Sequence, residues 1–278
     1  MATIIDGKKI RDTILERLTA EVSALPFQPV FSDVLVGDNP VSAQYVRMKG
    51  KTAERIGISF RHANYPETIT TDELVAELGM LGREPNMCGL IVQLPLPKTF
   101  DTKHVLDAID PRIDVDSTGD INTRRFYNGE ESFGFPTAMA VMTILDSLDL
   151  PLTEKKFLVV GQGALVGKPV AYLLKKRGYH VDIAEKETKN TNELIANADV
   201  IITATGVAKL IRGDMIKQGS VIIDAGTSES KGGIVGDVDF ESVESIAGFV
   251  SPVPGGVGPV TVAMLLSNVV AVARATNK

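Results

Sequence analysis

The chain predicts an α/β fold made of two α/β domains, and three observations carry that prediction. Apolar periodicity alternates between strand-like and helix-like runs over nearly the whole length. The alternation weakens once, from Pro111 to about Pro136, where Asp, Gly, Asn and Arg cluster as at a domain crossing. Beyond the crossing, the glycine-rich segment "VVGQGALVGKP" stands between a strand run and a helix run, as in a Rossmann-type dinucleotide-binding domain.

The elements follow in order. Ile10, Ile14, Leu18 and Val22 share one face of a first helix, with Asp6 as its cap. "VFSDVLVG" is a strand, and Asn39-Pro40 opens a helix that reaches about Ile56 and stops at Gly57. "ISFRHA" is a strand. Thr70 and Glu73 form a capping-box pair that starts a further helix. "CGLIVQLPLP" is a strand that ends at a Pro-x-Pro turn, so the first 110 residues run βαβαβ, the order of a parallel layer. After the crossing come a helix from about Thr137 to Leu148, the strands "KFLVV", "HVDIA", "VIITA" and "SVIIDAG", and helices from about Leu165 and over Thr191 to Asn197. A last helix, about Val260 to Arg274, follows "PVPGGVGP", three prolines and three glycines in eight positions. Such backbone is stiff in places and bare in others: it is either a linker or a surface against which something flat lies.

Composition narrows the function. With 278 residues, 44% hydrophobic and 23% charged, the chain has material for large cores. The 29 basic and 35 acidic side chains leave −6, which argues against a nucleic-acid surface but not against an anionic substrate. Cys88 is the single cysteine, so neither an intramolecular disulfide nor a cysteine metal site is expected, and His62, His104 and His180 lack ligand spacing. The start "MATIIDGKKI" turns polar at once and reads as lacking a signal peptide. The apolar run Val257 to Ala273 is broken by Thr261, Ser267 and Asn268 and reads as a core helix, not a membrane span. A reducing, cytoplasmic compartment is expected.

Five features bear on chemistry. Gly161, Gly163 and Gly167 form G-x-G-x-x-x-G, in which bare backbone and a helix N-terminus receive a pyrophosphate; the alternative is a plain tight turn. Glu185 lies 22 positions after Gly163, where a carboxylate bridges the ribose hydroxyls of NAD and repels the extra phosphate of NADP; Lys186 beside it could instead pair with that phosphate. Tyr45 and Lys49 are four apart on one helical face, either a proton-handling pair or a ring packed on a lysine stem. The order excludes a short-chain dehydrogenase, in which such a pair follows the glycine loop. Gln93 stands at the carboxyl end of a parallel strand, where α/β sheets bind ligands, and Asp114, Asp116 and Asp120 form an acidic turn whose spacing misses the calcium-loop pattern.

Together "YVRMK", "GLIVQLPLP", "DVD", "VVGQGALVGKP", "ADVIITATG", "VIIDAG", "GDVDF" and "PVPGGVGPVT" resemble, in order and over nearly the whole chain, the bifunctional methylenetetrahydrofolate dehydrogenase/cyclohydrolase family. The resemblance implies a cleft between a folate-binding catalytic domain, 1–136 joined by a returning C-terminal helix 258–278, and a Rossmann-type NAD(P)-binding domain, 137–257. It implies that Lys49 is catalytic in the cyclohydrolase step, that Tyr45 stacks on the folate, that Gln93 orients Lys49 and that Asp116 holds the pterin. Val92 and Leu94 then flank Gln93 on the folate wall, Pro254, Gly255 and Gly256 form the floor under the flat rings, and Gly161, Gln162, Gly163 and Thr227 line the cofactor. It implies tetrahydrofolate derivatives as substrates and a homodimer. The family's default cofactor is NADP. Gly163 in place of a usual serine, Gln162 where Arg is common and Glu185 in place of a usual histidine weaken that default in favour of NAD. Phe135-Pro136-Thr137-Ala138 replaces Pro-Cys-Thr-Pro, and Ile113 to Ser117 replaces Lys-Asp-Val-Asp-Gly, around Asp116. A dehydrogenase without cyclohydrolase activity and a non-catalytic folate- or nucleotide-binding relative are the competing readings; retention of Lys49 argues against the second.

Overall fold

The structure, a computed structural model, describes residues 1–130, 133–230 and 233–276. Its elements in chain order begin with β1 (Thr3–Ile4), α1 (Gly7–Ser23), β2 (Val30–Val36), α2 (Pro40–Arg55), β3 (Ser59–Tyr65), α3 (Thr71–Leu81), β4 (Met87–Val92), α4 (Thr102–Asp107) and α5 (Asp120–Asn128). There follow α6 (Pro136–Ser147), β5 (Lys156–Val160), α7 (Gly167–Lys176), β6 (His180–Ala184), α8 (Thr191–Asn197), β7 (Val200–Thr203) and, after a single 3₁₀ turn, β8 (Val221–Asp224). The chain ends with the antiparallel pair β9 (Ser228–Ser230) and β10 (Gly233–Val235), then α9 (Phe240–Val243), β11 (Phe249–Val250) and α10 (Val257–Thr276).

Two compact units result. The three-stranded unit comprises Thr13–Phe135 and Leu265–Lys278, and the six-stranded unit Met1–Asp12 and Pro136–Met264. The boundary near residue 136 stands where the composition changes, but both ends of the chain depart from the expected division. The first residues belong to the six-stranded unit because β1 pairs in parallel with β11, Thr3 opposite Phe249 and Ile4 opposite Val250. The last helix is shared. Thr137 and Thr143, both of the six-stranded unit, meet its first turns at Thr261 Oγ1 and Met264 Sδ (3.4 and 3.6 Å). Further on, Asn268 Nδ2 donates to Val115 O and Gly134 O of the three-stranded unit at 2.8 and 2.9 Å.

The three-stranded sheet has the order β3-β2-β4, all parallel. Local signals explain its helices. Asp6 Oδ1 accepts from the N–H groups of Lys8 and Lys9 at the head of α1, Asn39 Oδ1 from Ser42 N at the head of α2, and Thr70 and Glu73 make the reciprocal capping box of α3. Leu15, Leu18, Phe31, Ile56, Leu74, Leu78 and Leu90 fill the core and are essentially inaccessible. Gly89 matters here, because a Cβ would lie 2.7 Å from Val269 Cγ2 of α10. Helix α5 lies inside the stretch that periodicity marks as irregular. It is short and polar, with Asn122 and Phe126 its buried residues, and Gly129 closes it in the left-handed region at φ 73°.

The six-stranded sheet is parallel throughout, in the order β1-β11-β8-β7-β5-β6. Strand β5 feeds β6 on one side and has β7 on the other, so the order reverses beside β5. By length and apolarity alone α10 could cross a membrane. Its Val260, Ala263, Leu266, Val269, Val270 and Ala273 are instead buried to 0–1% exposure in protein, as a core helix requires.

Candidate active site

In the three-stranded unit the strand order reverses at β2, between β3 and β4, and the chemistry-bearing side chains gather there. Strand β4 ends at Val92, and Gln93 continues it by one hydrogen bond, its N–H donating to Val34 O at 2.8 Å. The Gln93 side chain is held at both ends. Nε2 donates to Leu94 O at 2.8 Å, which leaves Oε1 to accept from Lys49 Nζ at 2.8 Å. Lys49 comes from α2, one turn after Tyr45, and both are half-buried. Gly50 lets α2 lie close to β3, since a Cβ there would stand 2.5 Å from the Phe60 ring.

Lys49 has a second partner. Asp33 Oδ2, from the middle of β2, lies 2.6 Å from Nζ, with the aspartate side chain wholly buried and the lysine side chain 12% exposed. Burial pushes the Asp33 carboxyl up, and the Lys49 ammonium, with a smaller effect from His62, pulls it back. Asp116 is half-buried beyond β4. Desolvation pushes its carboxyl up to about 6, against the pull of Lys49 and with Asp114 and Asp33 adding to the rise. Asp114 is structural. Its carboxylate accepts from the N–H groups of Thr118 and Gly119 and from Asn122 Nδ2, pinning the turn that carries Asp116. Burial raises the Tyr45 phenol, so it is neutral across the physiological range. Val92 is 3% exposed and backs Gln93 from the core, whereas Leu94 is half-buried and retains surface. Lys49, Gln93, Tyr45 and Asp116 thus share one unit, on α2 and around the end of β4. Sequence reasoning missed Asp33, and the signal was a carboxylate in the middle of the otherwise uncharged strand VFSDVLV.

In the six-stranded unit the three loop glycines serve three purposes. Gly161 takes φ +94°, and a Cβ there would meet Ala204 O at 2.5 Å; at Gly167 it would meet Gly161 O at 2.0 Å, where α7 presses on the loop. A Cβ on Gly163 would meet nothing within 4 Å, so the loop is open on that side, while Gly163 O accepts from Lys168 N at the head of α7 at 3.2 Å. Gln162 Nε2 donates to Gly161 O at 2.9 Å. Exposed Glu185 directly follows β6, with its N–H donating to Thr188 Oγ1 at 2.9 Å. Thr227 is exposed beyond β8, and the next hydroxyl, of Ser228, donates to Gly206 O beyond β7 at 2.7 Å. All lie past the carboxyl ends of their strands, where a dinucleotide binds.

These loops are tied by two buried carboxylates that motif reading passed over. Asp237 Oδ2 accepts from Thr203 Oγ1, Thr205 N and Thr205 Oγ1 at 2.7, 2.6 and 2.9 Å. Asp224 accepts from the N–H groups of Gly226, Asp237 and Val238 at 3.0, 3.2 and 2.9 Å, and burial first, with the Asp237 charge, pushes its carboxyl up to about 6. The proline-glycine stretch belongs to the same unit. Gly255 takes φ +111°, and a Cβ on Gly7 would fall 1.7 Å from Gly256 O, so the bare backbone at Gly256 is buried against the start of α1. Pro254 is exposed and Gly255 half-buried.

Residues 5–116 match the family "Tetrahydrofolate dehydrogenase/cyclohydrolase, catalytic domain", and residues 136–277 match its NAD(P)-binding domain. The chain is 41% identical over 276 residues to the bifunctional protein FolD of Nautilia profundicola, covering 98% of this chain and 97% of that one. Among solved structures, the bifunctional FolD enzyme of Campylobacter jejuni superposes with a TM-score of 0.94 at 36% identity, covering 99% of this chain and 100% of that one. The FolD of Trypanosoma brucei, solved with NADP and an inhibitor, does so with a TM-score of 0.94 at 32% identity over 99% of this chain and 98% of that one.

Proposed function

The chain belongs to the tetrahydrofolate dehydrogenase/cyclohydrolase family, and on that premise we propose that it oxidises methylenetetrahydrofolate to methenyltetrahydrofolate with NAD or NADP and hydrolyses the product to formyltetrahydrofolate. The observation that carries the reading is the Lys49 amine, largely withdrawn from solvent and oriented by Gln93 at 2.8 Å at the carboxyl end of a parallel strand.

The open side of the loop at Gly163 suits a dinucleotide, with Gly161, Gln162, Gly163, Glu185 and Thr227 as the residues that would hold it. Held there, NAD or NADP would supply the acceptor for the hydride of the methylene carbon. The chain's own work in that step is placement. The neutral Tyr45 ring and Leu94 offer apolar surface to the folate, and Val92 supports Gln93 from behind. Asp116, ionised above about pH 6, would accept hydrogen bonds from the pterin. The hydrolytic step needs proton transfer at the attacking water, and Lys49, kept in one position by Gln93, is the group suited to it. A homodimer in the cytoplasm completes the proposal. Family membership supports the first, and Cys88, buried and the sole cysteine of the sequence, supports a reducing compartment.

The test is turnover. Purified protein with methylenetetrahydrofolate is assayed for reduction of NAD and of NADP in parallel, and with methenyltetrahydrofolate for its disappearance. Lys49→Ala should abolish the second activity. If the variant hydrolyses methenyltetrahydrofolate as fast as the parent, Lys49 does not have this role, and silence of the parent in both assays removes the enzymatic reading.

A further inference from the structure

A carboxylate in the middle of a buried strand is costly unless something compensates it, and a valine would serve β2 equally well. Asp33 is 0% exposed, and its ion-pair contact is Lys49 Nζ at 2.6 Å. Neither of its oxygens has a well-aligned hydrogen-bond partner among the described residues, so the Lys49 contact is a close ion pair. A merely structural aspartate would gather backbone N–H groups, as Asp114 and Asp224 do. Asp33 instead spends its charge on the amine that the hydrolytic step requires.

We propose that Asp33 is a positioning residue for Lys49 and stores the lysine's proton during hydrolysis of the methenyl substrate; this rests on the function proposed above. At rest the pair is an ammonium and a carboxylate. Passage of one proton from Nζ to Oδ2 makes it an amine and a carboxylic acid, without changing its net charge. As the water oxygen bonds to the cationic methenyl carbon, one water O–H bond breaks and its proton goes to the Lys49 lone pair, giving a neutral adduct. When the adduct's carbon–nitrogen bond breaks, the departing nitrogen gains a proton and the hydroxyl loses one, so that stage is balanced. Asp33 then releases its proton to solvent, the single proton that the overall hydrolysis liberates.

Other groups bear on this titration. They are Asp116 and Asp114 from the turn after β4, His62 opposite Asp33 on β3, and Tyr45 on α2, with Gln93 as the neutral partner. The experiment is Asp33→Asn, which keeps the shape and loses the proton store, with Asp33→Glu as the conservative variant. We expect Asp33→Asn to lower kcat for hydrolysis by about 10²-fold more than kcat for dehydrogenation. The pH profile of hydrolysis should change its limbs, and Asp33→Glu should recover part of the rate. Independently of turnover, acylation of Lys49 by an amine-selective reagent, followed by mass spectrometry, should be several-fold faster in Asp33→Asn, because the counter-charge is gone. Parallel loss of both activities with an unchanged pH profile would make Asp33 structural only. Unchanged Lys49 labelling would overturn the pairing, whether or not the parent protein hydrolyses anything. Absent hydrolysis by the parent together with faster labelling would instead sink the functional reading and, with it, the proton-store role, leaving only the positioning.

Discussion

Gln93 and Lys49 form an oriented pair: the Gln93 amide nitrogen is committed to Leu94 O, so the amide oxygen must face Nζ, at 2.8 Å. Gln93→Leu removes that acceptor while keeping the volume. A hydrogen bond to a charged group is worth about 1.5–3 kcal/mol, so hydrolysis should fall by roughly 10- to 100-fold. Kinetics on a variant whose melting temperature matches the parent would check this, and an unaltered kcat would show that Asp33 suffices alone.

Asp116 makes the protein pH-sensitive in a definite direction. An ordinary aspartate titrates near about 4, whereas folded Asp116 titrates at about 6, so the folded state holds the proton more tightly. The stability this contributes is present below about pH 4 and is lost as pH rises through about 6. Asn cannot lose a proton. From about pH 4 to about pH 7 the stability of Asp116→Asn should therefore gain on the parent, by roughly 1–3 kcal/mol. Urea unfolding of both proteins at the two pH values measures the difference, and a constant offset would contradict it.

Gly163 and Gly167 should separate binding from folding. A methyl at Gly163 meets nothing within 4 Å, so Gly163→Ala should fold normally and raise the KM for the dinucleotide by about tenfold, as the open side of the loop fills. A methyl at Gly167 would overlap Gly161 O at 2.0 Å, so Gly167→Ala should cost about 1–3 kcal/mol of stability. Thermal melts and cofactor titrations on both variants test the contrast.

Glu185 should set the cofactor ratio. Its exposed carboxylate at the end of β6 repels a ribose phosphate, so Glu185→Ser should raise kcat/KM with NADP relative to NAD by about tenfold. An unmoved ratio would transfer that choice to Lys186 or Gln162.

Much of the fold was readable because its signals are local. The Asn39 cap with Pro40, the Thr70–Glu73 box and the glycine turn each lie within one turn of chain, and each forms as its residues dictate. Helix α5 was missed because its inward face has only two residues, although Gly129 marked its end. Within the site, Tyr45 and Lys49 were legible as a pair by helical spacing and Gln93 by its place at a strand end, whereas the roles given to Gln93 and Asp116 came from the family resemblance. Asp33 carried no motif at all, and mid-strand acidity became meaningful only once α2 folded over β2.

The sequence by itself determined the alternation of elements, the break near residue 136, the glycine loop before α7 and the family. Each is written in neighbouring residues or in ordered motifs. Tertiary structure alone decided that Thr3 pairs beside Phe249, that Asp224 and Asp237 tie the loops of the six-stranded sheet, and that Lys49 meets Asp33 as well as Gln93. Those contacts join residues distant in the chain, and their energies come from burial and charge pairing that do not exist until the strands have assembled.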